Sequence, residues 1–286
     1  MVDIVEDESG PIPGGELRVG IEADVDGLNP TTSALTAPGL AMANAVFETL
    51  TDFDADGNAV PYLARSIEPA DGDLTRWRLT LREGITFHDG TPLDAEAVRV
   101  NFETQVNDAL LGIATRPFVL EEGAIEVIDE LTVEYRLSEP NALFPASLAS
   151  QIGLVASPTW LAAALEDPEL NQQPVGTGPF VFDSRQQDSQ TRVVRNDDWW
   201  GGEVYLEAIE FVPVTDPETR AVLMQEGDLD ALHVTDPATV EALLADDEIQ
   251  NIVDDNGEEL YLVLNSSAPP FDDVRALSLI HISEPT

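Results

Sequence analysis

The alternation of apolar and polar side chains predicts two neighbouring strands in the first third of the chain. Apolar residues occupy every second position in the first of them, at Trp77, Leu79 and Leu81. A period of two is typical of a strand with one buried face. Gly84 interrupts the pattern, and residues 85–87 are predicted as a second, shorter strand.

A helix is predicted to follow these strands. Val98, Phe102 and Val106 recur at intervals of four residues, which places them on one buried stripe of a helix. Asp94 precedes this run, at a position where its carboxylate can accept hydrogen bonds from the first turn. Between strand and helix, Gly90 can adopt the positive φ of a tight turn.

Similar patterns along the rest of the chain predict an alternation of strands and helices. Further strands are expected at residues 16–21, 131–137, 180–182, 192–195, 209–214 and 260–264. Further helices are expected at residues 40–50, 158–164, 217–226 and 237–244. This alternation predicts an α/β fold with a mixed sheet and α+β elements.

The charge of the chain is extreme. It contains 55 acidic residues and 13 basic ones, all of them arginine, and its net charge is -42. Such an excess of like charge opposes the compact state at low salt, whereas at about 1 M salt the Debye length falls to about 3 Å. We therefore predict a halophilic protein of the kind found in haloarchaea, with cation binding by the carboxylates as the alternative. Nucleic acid is excluded as a partner, because a duplex binder needs basic residues that displace counterions.

The residue types that are absent exclude several classes of enzyme. Without lysine there is no P-loop lysine and no Schiff base, and without cysteine there is no thiol nucleophile. The three histidines lack the spacing of a zinc-binding helix pair, and His88 is predicted to pack in a turn rather than bind a ligand. Residues 176–179 indicate a tight crossover turn rather than a phosphate cradle, since Pro179 lacks an N–H donor. No catalytic residue, metal or cofactor is predicted.

Seven segments, in order along the chain, resemble the motifs of the solute-binding proteins of peptide, nickel and related ABC importers. They are residues 14–30, 46–65, 81–98, 174–180, 196–200, 224–231 and 261–273. The third segment is the most informative. Its residues 81–84, Leu-Arg-Glu-Gly, are followed at residues 87–90 by Phe-His-Asp-Gly, and the family pattern has the same order. The chain departs from that pattern at Asn29, which replaces an aspartate, and before Val98, where an aspartate is usual.

The resemblance implies a type II periplasmic-binding-protein-like fold that is truncated before its second lobe. Residues 14–47 and 170–276 are expected to form parts of lobe I, and residues 48–169 are expected to form an inserted subdomain. Residues 1–13 are expected to be an acidic tether. Residues 277–286 resemble translated sequencing-adapter sequence and are expected to be foreign.

The resemblance also implies a function, namely extracytoplasmic capture of a peptide or related solute and its delivery to the permease of an ABC transporter. The protein is expected to be a monomer and to have no enzymatic activity. At full length it is expected to carry a lipid anchor. Two alternatives stay open. One is a hydrolase that uses two of the many carboxylates, and the other is a ligand sensor with the same fold.

Six residues are predicted to contact the solute. The loop after Pro30 is the first candidate, and the others are an aromatic residue and two residues of a late strand. They are Ala34, Leu35, Thr36, Phe118, Tyr261 and Asn265. The pair Trp199 and Trp200 is predicted to be a buried wedge, and stacking of Trp199 on a solute is the alternative.

Overall fold

The computed structural model describes residues 11–252, apart from residues 71, 73, 121 and 122, and then residues 265–276 and 278. The chain falls into two compact units, the first ending at Ile249 and the second beginning at Gln250. Among the described residues, no helix is both long and apolar enough to cross a membrane.

The strands and helices named below lie in the first unit. The strands are β1 (Glu16–Ile21), β2 (Glu48–Thr49), β3 (Thr51–Phe53), β4 (Ala59–Pro61), β5 (Ala64–Pro69), β6 (Arg76–Leu81), β7 (Ile125–Asp129), β8 (Thr132–Arg136), β9 (Leu154–Val155), β10 (Phe180–Gln186), β11 (Gln190–Arg195), β12 (Ala208–Pro213) and β13 (Ala231–Leu232). The α-helices are α1 (Ala37–Val46), α2 (Ala95–Asn107), α3 (Leu111–Thr115), α4 (Phe144–Ser147), α5 (Pro158–Glu166), α6 (Pro217–Gln225) and α7 (Pro237–Leu244). Short 3-10 helices lie at Arg116–Phe118, Gln151–Gly153 and Pro168–Gln172.

The larger sheet has five strands in the order β10-β11-β12-β1-β13. Strand β1 is parallel to both of its neighbours, β12 and β13, whereas β10 and β11 continue the sheet in antiparallel fashion. The connection from β12 through α6 to β13 passes over β1, so the first strand of the chain lies between two strands from much later in the sequence. All three parallel strands therefore end at the same edge of the sheet.

A second sheet has four antiparallel strands in the order β5-β6-β8-β7. The alternating residues Trp77, Leu79 and Leu81 of β6 are buried in one apolar cluster with Val98 and Phe102 of α2. The predicted strand face and the predicted helix stripe thus cover each other. Two shorter antiparallel pairs, β2 with β9 and β3 with β4, complete the sheet structure of the described residues.

A separate apolar cluster lies on the five-stranded sheet. It includes Val46 and Phe47 at the end of α1, Trp160 of α5 and Phe211 of β12. Val175 packs against both clusters. The lobe boundaries implied by the family resemblance stay a prediction.

The helix starts are the most accurate part of the sequence analysis. The Asp94 carboxylate accepts a hydrogen bond from the Ala97 N–H at 2.7 Å and caps α2, as expected. Helices α5, α6 and α7 each begin at a proline, and the preceding Ser157, Asp216 or Asp236 caps the helix with a side-chain oxygen. Local side-chain chemistry determines these positions, which is why they can be recognised from sequence.

One predicted strand was wrong, and one predicted helix ends earlier than expected. Residues 85–87 form no strand, because the turn at Gly90 returns the chain after a single isolated bridge between Thr86 and Pro92. Helix α1 ends at Val46 rather than Leu50, because β2 begins at Glu48 and pairs with β9. The strand predicted at residues 260–264 lies outside the described residues, as does most of the segment that was expected to be foreign.

The turn at residues 176–179 is a tight crossover, as predicted. Its Gly178 N–H donates to the carbonyl oxygen of Val46 at 2.9 Å. His88 is bonded to the same turn, since its Nε2–H donates to Gly178 O at 3.0 Å and its Nδ1 accepts from the Gly176 N–H at 3.4 Å. The histidine is therefore packed in its neutral form with the proton on Nε2.

We expect the replacement His88→Gln to remove a pH dependence of stability. Burial lowers the pKa of His88, and the hydrogen bond to Gly178 and the charge of Asp89 only partly oppose this shift. The unfolded chain therefore binds the proton more readily than the folded one. The free energy of unfolding should decrease as the pH falls below about 6.5, by at most about 1.4 kcal/mol per pH unit.

Glutamine retains an N–H donor for the Gly178 carbonyl but does not titrate. Denaturant unfolding at several values between about pH 7.5 and about pH 5.5, above the range in which carboxylates titrate, measures the slope for both proteins. A wild-type slope that His88→Gln leaves unchanged would show that His88 is not the titrating group.

Candidate functional site

The loop that carries the first predicted contact residues is organised by a buried asparagine. The Asn29 Oδ1 accepts hydrogen bonds from the Thr31 N–H at 3.0 Å and from its hydroxyl at 2.8 Å. The Asn29 Nδ2–H donates to Asn171 Oδ1 at 2.9 Å. An aspartate, which the family pattern has here, could accept the first two bonds but could not donate the third. Asn171 thus supplies the acceptor for the N–H donor that asparagine, unlike aspartate, has at position 29.

Two glutamine side chains also hold this loop through hydrogen bonds to its backbone. Gln151 donates from Nε2 to the carbonyl oxygens of Pro30 at 2.9 Å and Ser33 at 2.6 Å, and its Oε1 accepts from the Leu35 N–H at 3.2 Å. Gln105 of α2 also donates to Pro30 O, at 3.1 Å. All these groups are uncharged, so the loop is held in place by bonds that salt does not screen.

The three predicted contact residues in this loop differ in exposure. Ala34 and Thr36 are exposed, and Thr36 lies directly before the first turn of α1. The side chain of Leu35 is buried in the apolar cluster of the five-stranded sheet. Leu35 can therefore anchor the loop, whereas Ala34 and Thr36 are open to a solute. Their contact with a solute stays a prediction.

The other predicted residues belong to other segments of the chain. Phe118 is 64% exposed in the 3-10 helix Arg116–Phe118. Asn265 belongs to the second compact unit, where it is exposed and its Oδ1 accepts a hydrogen bond from the Ser267 N–H at 3.0 Å. Tyr261 lies outside the described residues. A role in solute binding stays a prediction for each of them.

The tryptophan pair is bonded to a buried carboxylate. Glu48, which is 4% exposed, accepts hydrogen bonds from Tyr62 Oη at 2.9 Å, Trp199 Nε1 at 3.0 Å and Trp200 Nε1 at 2.8 Å. Burial, together with the charge of Glu48, raises the pKa of Tyr62. The Arg82 guanidinium lies 5.4 Å from the ring centroid of Trp200. The indole N–H groups thus point inward, but both tryptophans are only half-buried, so the pair is not the fully buried wedge that was predicted.

A cavity of about 420 Å³ lies next to the loop, between α2 and the end of α5. Its lining combines the apolar Val100 and Leu165 with hydroxyl, amide and carboxylate side chains. These polar residues are Thr32, Glu103, Thr104, Asn107 and Asp108. The carboxylates are already bonded, since Glu103 pairs with Arg99 and Asp108 accepts from the first turn of α3.

A group of polar side chains that sequence reasoning missed lies where the three parallel strands end. Glu22 directly follows β1, and Arg220 lies in the first turn of α6. His233 and Thr235 follow β13. Ligands of open α/β sheets bind beyond the carboxyl ends of the strands, so this edge is the second part of the candidate site.

Arg220 fixes the carboxylate of Glu22. The guanidinium is 3% exposed, and its Nη1 donates to Val214 O at 2.6 Å while its Nη2 lies 3.4 Å from Glu22 Oε1. Thr235 Oγ1 at 3.5 Å and His233 Nδ1 at 4.0 Å approach the same oxygen. The side chain of Glu22 is 32% exposed. The edge thus presents an oriented carboxylate that is partly open to solvent.

Comparison with known proteins identifies the family. The model for "Bacterial extracellular solute-binding proteins, family 5 Middle" matches residues 58–276. The chain belongs to this family. The resemblance seen in the seven sequence segments is thereby confirmed.

The curated relatives of this family 5 chain are about twice as long as the chain. It is 32% identical over 254 residues to di/tripeptide-binding protein 1 of Pseudomonas aeruginosa, a match that covers 81% of this chain and 47% of that protein. It is 30% identical over 226 residues to the nickel-binding periplasmic protein of Escherichia coli, with coverages of 76% and 41%. The chain thus spans about half the length of the relatives it matches.

Solved structures confirm the predicted fold class. HbpA2 from Haemophilus parasuis matches with a TM-score of 0.76 at 24% identity, over 93% of this chain and 56% of that one. A dipeptide-binding protein from Pseudoalteromonas, in complex with Met-Leu, matches with a TM-score of 0.75 at 22% identity, over 91% and 55%. The family 5 chain therefore has a mixed α/β, type II periplasmic-binding-protein-like fold.

Proposed function

We propose that this chain is part of the substrate-binding component of an ABC importer. It captures a peptide or related solute outside the cytoplasm and delivers it to a membrane permease, as a monomer held by a lipid anchor. The observation that carries the proposal is the family match over residues 58–276. Supporting it, relatives are named for binding di- and tripeptides, glutathione and nickel.

The geometry of the first unit suits one wall of a binding cleft. The loop at residues 29–36 and the edge at Glu22 are both held by buried side chains before any solute arrives, as expected of a largely preformed pocket. In the proposed mechanism a second lobe supplies the opposite wall, and hinge closure removes the solute from water. Hydrogen bonds to the solute are stronger once water is excluded.

We expect the 286-residue chain alone to bind solute much more weakly than a version extended by a second lobe. A one-sided site leaves the solute wet, and the loss of even one well-placed buried hydrogen bond reduces affinity about tenfold. Calorimetry with pools of di- and tripeptides, at about 1 M KCl to maintain screening, compares the two proteins. Equal affinities would contradict the two-lobe mechanism.

Solute capture is distinguished from hydrolysis by the fate of the solute. Among the described residues, no group of three or more histidine, aspartate or glutamate side chains is arranged to hold a metal ion. We expect every bound peptide to be recovered intact by mass spectrometry after prolonged incubation with the extended protein. Cleavage products that disappear when Glu22 is replaced would instead favour the carboxylate-dependent hydrolase.

A further inference from the structure

Two helices begin at the edge where the parallel strands end, and each is capped by an aspartate of the chain. Asp216 Oδ1 accepts from the Thr219 N–H at 2.8 Å and from its hydroxyl at 2.6 Å, at the start of α6. Asp236 Oδ2 does the same for Thr239, at 2.8 Å for both bonds, at the start of α7. A helix N-terminus ordinarily attracts an anion, but here the chain supplies the anion itself. Each helix start therefore already has a carboxylate beside it, which disfavours an acidic solute group there.

The guanidinium that contacts Glu22 is also withheld from the solute. Arg220 is 3% exposed, and its two terminal nitrogens are bonded to Val214 O and to Glu22. Its charge acts within the protein instead, where it helps the hydrogen bonds from Thr219 and Thr239 to lower the pKa of Asp216 and Asp236. Arg220 thus positions carboxylates and leaves no exposed positive charge for a solute.

Glu22 is the group at this edge that can reach a solute. Only its Oε1 has contacts with other described side chains, and its side chain is 32% exposed. Glu22, Asp216 and Asp236 are three carboxylates that share the field of one guanidinium, at Arg220, and the next acidic side chain along the chain, Asp24, is paired with Arg185. Both the oriented acceptor and the surplus of negative charge favour a positively charged partner.

We propose that Glu22 contacts the solute and accepts a hydrogen bond from one of its cationic nitrogens, so that this protein selects solutes with an ammonium group at this position. The inference rests on the proposed solute-binding function. An ammonium group can come from the amino terminus of a peptide or from a lysine side chain. Both present the same chemistry to the carboxylate, and the experiment separates them.

The test uses calorimetry on the extended protein and on its variant Glu22→Gln, which keeps the size of the side chain and removes its charge. The probes are alanyl-lysyl-alanine and alanyl-norleucyl-alanine, each with a free and with an N-acetylated amino end. Glu210→Gln is the matched control, because Glu210 also faces an arginine, Arg18, but lies in the middle of β12 rather than at the edge. Direct contact at hydrogen-bond distance persists at about 1 M KCl, where the Debye length is about 3 Å.

We expect Glu22→Gln to weaken binding of the cationic probe by about tenfold or more and to leave its neutral counterpart within about twofold, because a charge-assisted bond is lost. Loss of the lysine-over-norleucine preference would assign the contact to a side chain. Loss of the preference for a free amino end would assign it to the terminus. Glu210→Gln should change neither preference.

An unchanged preference in both pairs, or an equal loss of affinity for all four probes, would overturn the inference while leaving the solute-binding function intact. If the unmodified extended protein binds neither these probes nor a broader peptide pool, the proposal of peptide capture falls, and the inference about Glu22 falls with it.

Discussion

We expect the protein to lose its folded structure when the KCl concentration is lowered from about 2 M to about 0.1 M. The reason is the net charge of -42. At about 0.1 M salt the Debye length is about 10 Å, so each carboxylate is repelled by many others, whereas at molar salt the repulsion extends over about 3 Å. A domain has about 5 to 15 kcal/mol of net stability, which unscreened repulsion of this size can exceed.

The ion pairs of the structure cannot compensate for this charge. Glu134 is buried between Arg76 at 2.5 Å and Arg78 at 3.1 Å, and Arg192 bridges Glu16 and Asp183. Arg76 and Arg78 thus share one carboxylate, whereas Arg192 is divided between two. Even if each of the 13 arginines neutralised one of the 55 acidic residues, 42 carboxylates would be left, since 55 minus 13 is 42.

Circular dichroism and thermal melting over a KCl series measure the effect. We expect the melting temperature to fall by about 10 °C or more before the helical signal is lost altogether. Sucrose at matched osmolality is the control, because it favours the compact state without screening charge. An unchanged melting temperature across the series, or full recovery in sucrose alone, would contradict a role for charge screening.

The second large effect is expected from the replacement Gly178→Ala in the crossover turn. A Cβ atom added at Gly178 would lie 2.7 Å from the carbonyl oxygen of Val46 and 2.9 Å from that of Ala45. These neighbours are backbone atoms at the end of α1 and cannot rotate away. We expect a loss of about 3 kcal/mol or more in the free energy of unfolding, at the upper end of overpacking effects.

Gly72→Ala is the matched control for this replacement. A Cβ atom at Gly72 meets no heavy atom within 4 Å, and its φ is not positive, so the same chemical change should cost less than about 0.5 kcal/mol. Denaturant unfolding in molar KCl compares the two variants with the parent protein. Similar stabilities for both variants would show that the turn can move away from α1 without cost.

Features that depend on near neighbours in the sequence could be predicted. The Asp94 cap of α2 and the tight turn before Pro179 follow from side chains a few residues apart, and both are present in the structure. The short strand expected at residues 85–87 failed for the opposite reason. Its alternation was correct, but a strand needs a partner, and only the bridge from Thr86 to Pro92 is available.

The candidate site depends on residues that are far apart in the sequence. Arg220 meets Glu22 across 198 residues, and no spacing rule connects the two. The weak signal that could have been used is an acidic residue placed directly after the first predicted strand. Leu35 illustrates a related limit, because sequence order placed it in the correct loop but could not show that its side chain points into the core.

The position of β1 in its sheet also constrains the order in which the chain can fold. Glu16 of β1 pairs with Ala208 of β12, 192 residues later, so the first strand stays unpaired until that part of the chain has been synthesised. All four strands of the second sheet have been synthesised by Arg136, so their pairing can begin before that of β1. Until β12 is available, the backbone N–H and C=O groups of β1 have no strand partner. The charged side chains of Glu16 and Arg18 discourage pairing of β1 with other chains.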